Sequence, residues 1–575
     1  MLKLFKYLKP FRFPIIIVLI LTFIKTLSDL YLPNLMADIV DIGIVKGDHQ
    51  YIFQIGEWML LIAAIGTGAV IMSSYLSAKI AAAFSRDLRS AIFTRVESFS
   101  LHEFDKFGTS TLITRTTNDI NQVQQVLIMI LRMMISAPIM CVGGIIMAAT
   151  KDIKLSLVLI LVIPVLSIFM LLVAKKAMPL FKSIQVKLDG VNLVLREGLI
   201  GIRVIRAFNR VDFENKRFNT ASRNLVDTTI KVNKIMAILM PMMILVINLT
   251  TLAIIWFGSM RIDTGNMEIG DMLAFTQYLM QIMFSIMIFA MMFIMIPRAS
   301  ASAIRINEVL DTVPEITDTK TPNSKEGEKG TIEFKNVTFS YHGAEQPAIR
   351  NISFKACPSE VTAIIGGTGS GKSTLINMIP RFYDVDSGQI LVNEVDIRDM
   401  SQEALRSKIG FVPQKTILFN GTIADNIRFG KETATIEEVI KAANCAQATE
   451  FINDMPEGFD RLISQGGTNI SGGQKQRLSI ARALVKEAKI YVFDDSFSAL
   501  DFKTDAKLRA ALKQKKVHAT VLIVAQRVST IMDADQIIVL NDGGIVGIGK
   551  HKELLKTCEV YREIVASQLS EEELA

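Results

Sequence analysis

The sequence predicts two parts of different fold class. One is an α-helical membrane domain over residues 1–300, whose six helices extend into the cytoplasm, and the other is an α/β P-loop domain over residues 331–575. Three observations carry this reading. Mean hydropathy is +0.37 over 575 residues, half of them apolar, which a soluble chain of this length seldom reaches. The excess is local, in long apolar runs between residues 14 and 297. Beyond residue 330 the composition is that of an ordinary soluble domain, and a glycine-rich run, Gly366 to Thr374, follows an apolar stretch.

The net charge of +7 does not point to nucleic acid, because much of the positive charge flanks apolar runs, the pattern of a membrane protein facing anionic lipid. Cys141, Cys357, Cys445 and Cys558 form no C-x-x-C pair and have no histidine cluster beside them, so neither disulfides nor zinc is expected. Lys3, Lys6, Lys9 and Arg12 precede the first apolar run, and no small-residue cleavage site closes it. The run reads as a retained first helix with a cytoplasmic N-terminus.

A helix needs about 20 apolar residues to cross the hydrocarbon core. Spans are expected at about 14–37, 57–78, 133–150, 155–174, 236–257 and 272–296. Only Lys151 to Lys154 separates the third from the fourth, which forces a hairpin. The two long loops, 79–131 and 175–235, carry six and thirteen Lys/Arg, against one, two and one in the short loops. By the positive-inside bias the long loops, and with an even span count both termini, face the cytoplasm. Amphipathic spacing over 81–100 and 182–208 suggests that the membrane helices run on into the cytoplasm. Short crosswise segments are then expected near Phe107–Thr116 and Gly201–Ala207. Lys25 and Asp29 lie one turn apart inside the first span and read first as a self-neutralising pair, with a substrate or gating contact as the alternative. Met280, Met283, Met287, Met291, Met292 and Met295, with Phe284 and Phe289, make the sixth span adaptable and polarizable. Met at helical spacing is ordinarily packing, yet this density suits a cavity for varied apolar compounds.

Residues 301–330 read as a linker, loosest at Pro314 and at Pro322, Asn323 and Ser324. The run Gly366, Gly367, Thr368, Gly369, Ser370, Gly371, Lys372, Ser373, Thr374 then matches the Walker A pattern. Its glycines let backbone N–H groups wrap phosphates, and the helix that follows turns its positive end toward them. Lys372 reaches the β- and γ-phosphates, and the Ser373 hydroxyl is expected on Mg²⁺. Ile490 to Asp494 is an apolar strand ending in a carboxylate, the Walker B arrangement, with Asp494 a second Mg²⁺ ligand.

Between them stands Ile470, Ser471, Gly472, Gly473, Gln474. With this run, six spans, two long loops and a C-terminal P-loop domain, nearly the whole chain resembles an ABC exporter half-transporter. The resemblance implies an ABC-type nucleotide-binding domain, ATP and Mg²⁺ as cofactors, and ATP sandwiched between Walker A of one chain and the signature of another, so that a partner chain is required. Residue by residue, Tyr341 matches the adenine-stacking aromatic, although a strand-end core tyrosine is the plain alternative. Gln414 matches the glutamine that meets Mg²⁺ and the attacking water. Ser498 to Asp501 matches the D-loop, and the crosswise segments match the coupling helices.

Two positions depart from the family pattern. Asp495 stands where the family places a glutamate as general base, and its carboxylate falls short by about 1 Å, a displacement able to cost about 100-fold in rate. Gln526 stands at the switch histidine, and it donates a hydrogen bond but never becomes cationic. The segment before the signature reads Ser464, Gln465, Gly466, Gly467, without the usual glutamate. Phosphate and metal residues are kept. The expectation is a site that binds ATP and hydrolyses it poorly, in a chain that lends an intact signature to a homologous partner, a homodimer being the alternative. Multidrug-type export of hydrophobic or amphipathic compounds across a prokaryotic cell membrane is the leading function. A dedicated lipid or peptide exporter is the second reading and a regulatory ATP sensor the third.

Overall fold

The computed structural model describes residues 1–319, 330–515 and 519–568. Pro322, Asn323 and Ser324, and the chain end after residue 568, lie outside the described residues, as do the side chains of Met291 and Gln465. The chain divides into two compact units. One comprises Met1–Glu97 and Thr109–Thr312, the other Ser98–Gly108 and Val313–Ala575.

The first unit is helical throughout. Its long helices are α1 (Arg12–Asp38), α2 (His49–Glu97), α4 (Thr109–Lys151, with π-turns at Arg115–Asp119 and Ile130–Met134), α5 (Ile153–Ile200), α7 (Val211–Asp263) and α8 (Ile269–Asp311). Each contains one of the six apolar spans, and the helices outrun those spans because the segments beyond them keep helical amphipathic spacing. The linker expected from residue 301 begins later, since α8 continues to Asp311.

The hairpin between α4 and α5 is a single residue. Asp152 caps α5 by accepting from the Leu155 amide at 2.8 Å, and its other oxygen pairs with Arg261 of α7 at 2.7 Å. The core of this unit gathers Leu30, Leu159, Ile254, Phe275, Tyr278 and Ile282 from four helices. Large apolar side chains such as Leu161, Leu171, Leu252 and Trp256 point outward, as lipid-facing positions do. In the methionine-rich helix, Met283 and Met292 are buried, whereas Met280 and Phe284 are exposed. Lys25 and Asp29 form an ion pair of 2.5 Å across one turn.

Two short helices connect long ones along the chain. Helix α6 (Ile202–Ala207) joins α5 to α7. Helix α3 (Leu101–Phe107) lies in the second unit and upstream of its expected place, since residues 109–116 open α4 instead. The shift has a local cause. Ser100 and Glu103 form a capping box that starts α3, and Gly108, at φ +72°, ends it in a conformation that suits glycine.

Among the described residues, the second unit holds two sheets and a small ribbon. The antiparallel sheet, in order β2-β1-β4-β5, comprises β1 (Ile332–Phe339), β2 (Ile349–Ala356), β4 (Ser387–Val392) and β5 (Val395–Asp396). The larger sheet, in order β12-β11-β3-β10-β9-β6, is parallel except at β12. Its strands are β3 (Val361–Gly366), β6 (Ile409–Val412), β9 (Ile490–Asp494), β10 (Thr520–Val524), β11 (Gln536–Asn541) and β12 (Gly544–Gly549). The ribbon pairs β7 (Gly421–Thr422) with β8 (Leu462–Ile463). β9 and β10 are buried along their whole length, as strands covered on both faces must be. Parallel pairing of β3, β10 and β9 brings Gly366, Val524 and Asp494 to one edge, where α/β sheets bind ligands.

Candidate functional site

The site grows from the C-terminal ends of those strands. After β3 the chain turns through Gly366–Gly371 into the helix α9 (Lys372–Asn377). Glycine is required at two points. A Cβ on Gly366 would meet the Leu540 carbonyl at 2.2 Å, and Gly371 has φ +93° with the Ala348 carbonyl 2.7 Å from where a Cβ would stand. Gly367, Thr368 and Gly369 are exposed, and Ser370 is buried beneath them. Lys372 folds back over the loop, its ammonium donating to the carbonyls of Gly366 at 2.8 Å and Gly367 at 2.7 Å. Burial lowers its pKa, and the carboxylates of Asp495 and Asp494 work against that.

Ser373 donates its hydroxyl to Asp494 at 3.2 Å. Asp494 is buried, which pushes its pKa up against the bond from Ser373 and the charge of Lys372. A hydroxyl and a carboxylate side by side are hard oxygen donors, the set that suits Mg²⁺. Tyr341, just beyond β1, meets the Thr374 hydroxyl at 3.0 Å, so its ring stands over the first turn of α9. It touches Phe339 and Tyr383 edge-on, with centroids 5.1 and 5.5 Å away, and remains 41% exposed. A half-exposed ring held by its neighbours offers a flat face to a base.

Asp495 follows with φ +45°. Its carboxylate accepts from Gln526 at 2.8 Å and lies 3.4 Å from the Gln414 amide. Burial raises its pKa, opposed by bonds from Gln414 and Ser498 and by the charges of Lys372 and Arg527. Three separately predicted residues thus meet on one carboxylate, a convergence that separations of 81 and 31 residues hide from sequence reading.

The signature run begins the helix α10 (Gly472–Leu484). Ser471 caps it, accepting from the Gln474 amide at 3.3 Å, while Gln474 accepts from the Ser471 amide at 2.9 Å. Ser471 and Gly472 are exposed, so the positive end of α10 faces solvent. A Cβ on Gly473 would come within 3.1 Å of the Ala499 carbonyl, next to the segment containing Asp501. Asp501 caps the helix that follows it, accepting from the amide and hydroxyl of Thr504 at 2.9 and 2.7 Å, a local use the sequence reading missed.

Comparison with known proteins identifies the family. Residues 15–287 match the ABC transporter transmembrane region family and residues 349–498 the ABC transporter family. An uncharacterized ABC transporter ATP-binding protein of Mycobacterium tuberculosis is 41% identical over 98% of this chain and 97% of its own. The ATP-dependent lipid A-core flippase of Desulfotalea psychrophila is 34% identical over 96% of each. Among solved structures, a bacterial Atm1-family ABC exporter with ATP bound superposes with a TM-score of 0.82 at 25% identity, covering 97% of this chain and 99% of that one. Six apolar helices joined to a P-loop domain with its signature run, in a chain matched end to end by such relatives, make this protein a member of the ABC transporter family, a multi-pass membrane protein that couples ATP hydrolysis to export.

Proposed function

We propose that this chain exports hydrophobic or amphipathic compounds, multidrug fashion, as one half of a heterodimer in a prokaryotic cell membrane. Both termini are cytoplasmic. In this reading Lys372 and the loop amides hold the phosphates of ATP, Tyr341 stacks on adenine, and Ser373, Asp494 and Gln414 hold Mg²⁺. Ser471, Gly472 and Gly473 complete the partner's site. ATP binding draws the two ATPase domains together, α3 and α6 pass that motion to the spans, and hydrolysis at the partner's site resets the cycle.

One observation carries the heterodimer. The carboxylate of Asp495 is met by the amides of Gln526 and Gln414, so neither a full-length glutamate nor a titrating histidine is available to polarise water. The phosphate and metal residues around it are intact, which favours binding without fast turnover. A cavity of 460 Å³ in the helical unit supports an amphipathic substrate, since Met36, Met59 and Met140 share its wall with Asp29 and Gln277.

The test is purification of the chain from its own cell. A second half-transporter with Glu and His at the positions of Asp495 and Gln526 is expected to accompany it. The double variant Asp495→Glu, Gln526→His is expected to raise turnover at this chain's site by about 10- to 100-fold. Fast ATP turnover by the unmodified chain alone overturns the reading. The flippases among the relatives favour lipid export as the second reading. ATPase stimulation by lipids but not by cationic dyes would establish it in place of the first.

A further inference from the structure

Beside Tyr341, two of the chain's five histidines stand together. His102, on α3, has its Nδ1 2.9 Å from a carboxylate oxygen of Glu315, and its ring centroid lies 5.0 Å from that of His342. Beneath them is Glu103, buried to 6% exposure. One donor atom from each of His102, Glu103 and Glu315 lies within 4.8 Å of the others.

Glu103 is held in place by its neighbours. One oxygen accepts from the amide and hydroxyl of Ser100, at 2.7 and 2.6 Å, and the other from the Glu315 amide at 3.0 Å. A carboxylate offers about four lone-pair positions, so one remains. The three residues border or underlie a cavity of 680 Å³ that also presents Asp105 and Asp386, with Lys106 the cation among its lining residues. The excess of negative charge suits a cation, and a pair of imidazoles selects its kind. Mg²⁺ and Ca²⁺ prefer oxygen, whereas zinc and its neighbours accept nitrogen readily.

We propose that His102, Glu103 and Glu315, completed by His342, form a binding site for a divalent transition metal ion of the zinc class. A tetrahedral shell with bonds of about 2.1 Å sets its donors roughly 3.4 Å apart. Side-chain rotation of His102 and Glu315, 35% and 63% exposed, closes the cluster to that size, and the exposed ring of His342 is free to swing in. The occupied site ties α3 to the segment after α8 and to the loop that carries Tyr341.

The experiment is competition for Zn²⁺ between the full-length, nucleotide-free protein in lipid nanodiscs and a chromogenic chelator, with Mg²⁺ in excess throughout. One Zn²⁺ per chain is expected. His102→Ala and Glu315→Gln are expected to weaken it by about tenfold or more, and His342→Ala to a lesser degree. His551→Gln, far along the sequence, should leave binding unchanged. ATP binding by each variant checks that the domain is folded. Zn²⁺ binding that is absent in the unmodified protein, displaced by Mg²⁺, or undiminished in folded His102→Ala and Glu315→Gln overturns the proposal.

Discussion

The proposed stacking of Tyr341 on adenine sets how much one side chain would contribute to nucleotide affinity. Its ring is positioned by Phe339 and Tyr383 and its hydroxyl by Thr374. Stacking between aromatic partners is worth about 0.5–1.5 kcal/mol beyond area. Tyr341→Ala should therefore raise the Kd for ATP by about three- to tenfold, and Tyr341→Phe by less, since the stacking face survives. Isothermal titration of the full-length protein separates the two. The runs that build the loop after β3, the end of β9 and the start of α10 were legible in the sequence because they are contiguous and have fixed spacing. The meeting of Gln414, Asp495 and Gln526 was not, because parallel strand pairing, and no local pattern, brings their loops together.

At the scale of the element, helix starts explain both what was read and what was missed. The short helix α3 has seven residues, too few for apolar periodicity to locate. Its true signal was the Ser100–Glu103 box, four residues of cap chemistry ahead of a glycine stop. Replacing a capping serine by alanine costs about 1 kcal/mol. Ser100→Ala should lower amide protection across 101–107 by about fivefold in hydrogen exchange, with little change in the strands.

The same box carries a pH dependence. Burial alone would raise the pKa of Glu103, but bonds from Ser100 and Glu315 outweigh it and hold the carboxyl below its ordinary 4.5. For a lowered acid the stabilisation is complete above the unfolded value and is lost as pH falls through the folded one. Protection of α3, corrected for intrinsic exchange, should therefore hold at neutral pH and decline only below about pH 4.5. Glu103→Gln should remove that dependence.

For the whole molecule, charge and exposure together argue that one chain is not the working unit. The loop 175–235 carries thirteen Lys/Arg, and in the proposed orientation, with both long loops cytoplasmic, α6 stands in water and not in lipid. Yet around α6, Ile200 is 80% exposed, Val204 60% and Phe208 74%. An apolar helix tip in water needs a protein cover, and the partner half-transporter proposed above would supply one. Burying a side chain the size of Phe208 is worth about 1.5–3 kcal/mol. Phe208→Asp forfeits that and adds a charge to the contact, so coupling through this tip should weaken by about 10- to 100-fold. The expected outcome is loss of ATP-dependent dye uptake into inverted vesicles while ATP binding at Lys372 persists, because no residue of the phosphate loop is touched. Unimpaired uptake by the Phe208→Asp variant would mean that α6 meets no partner, and the pairing of two chains through this end would have to be abandoned.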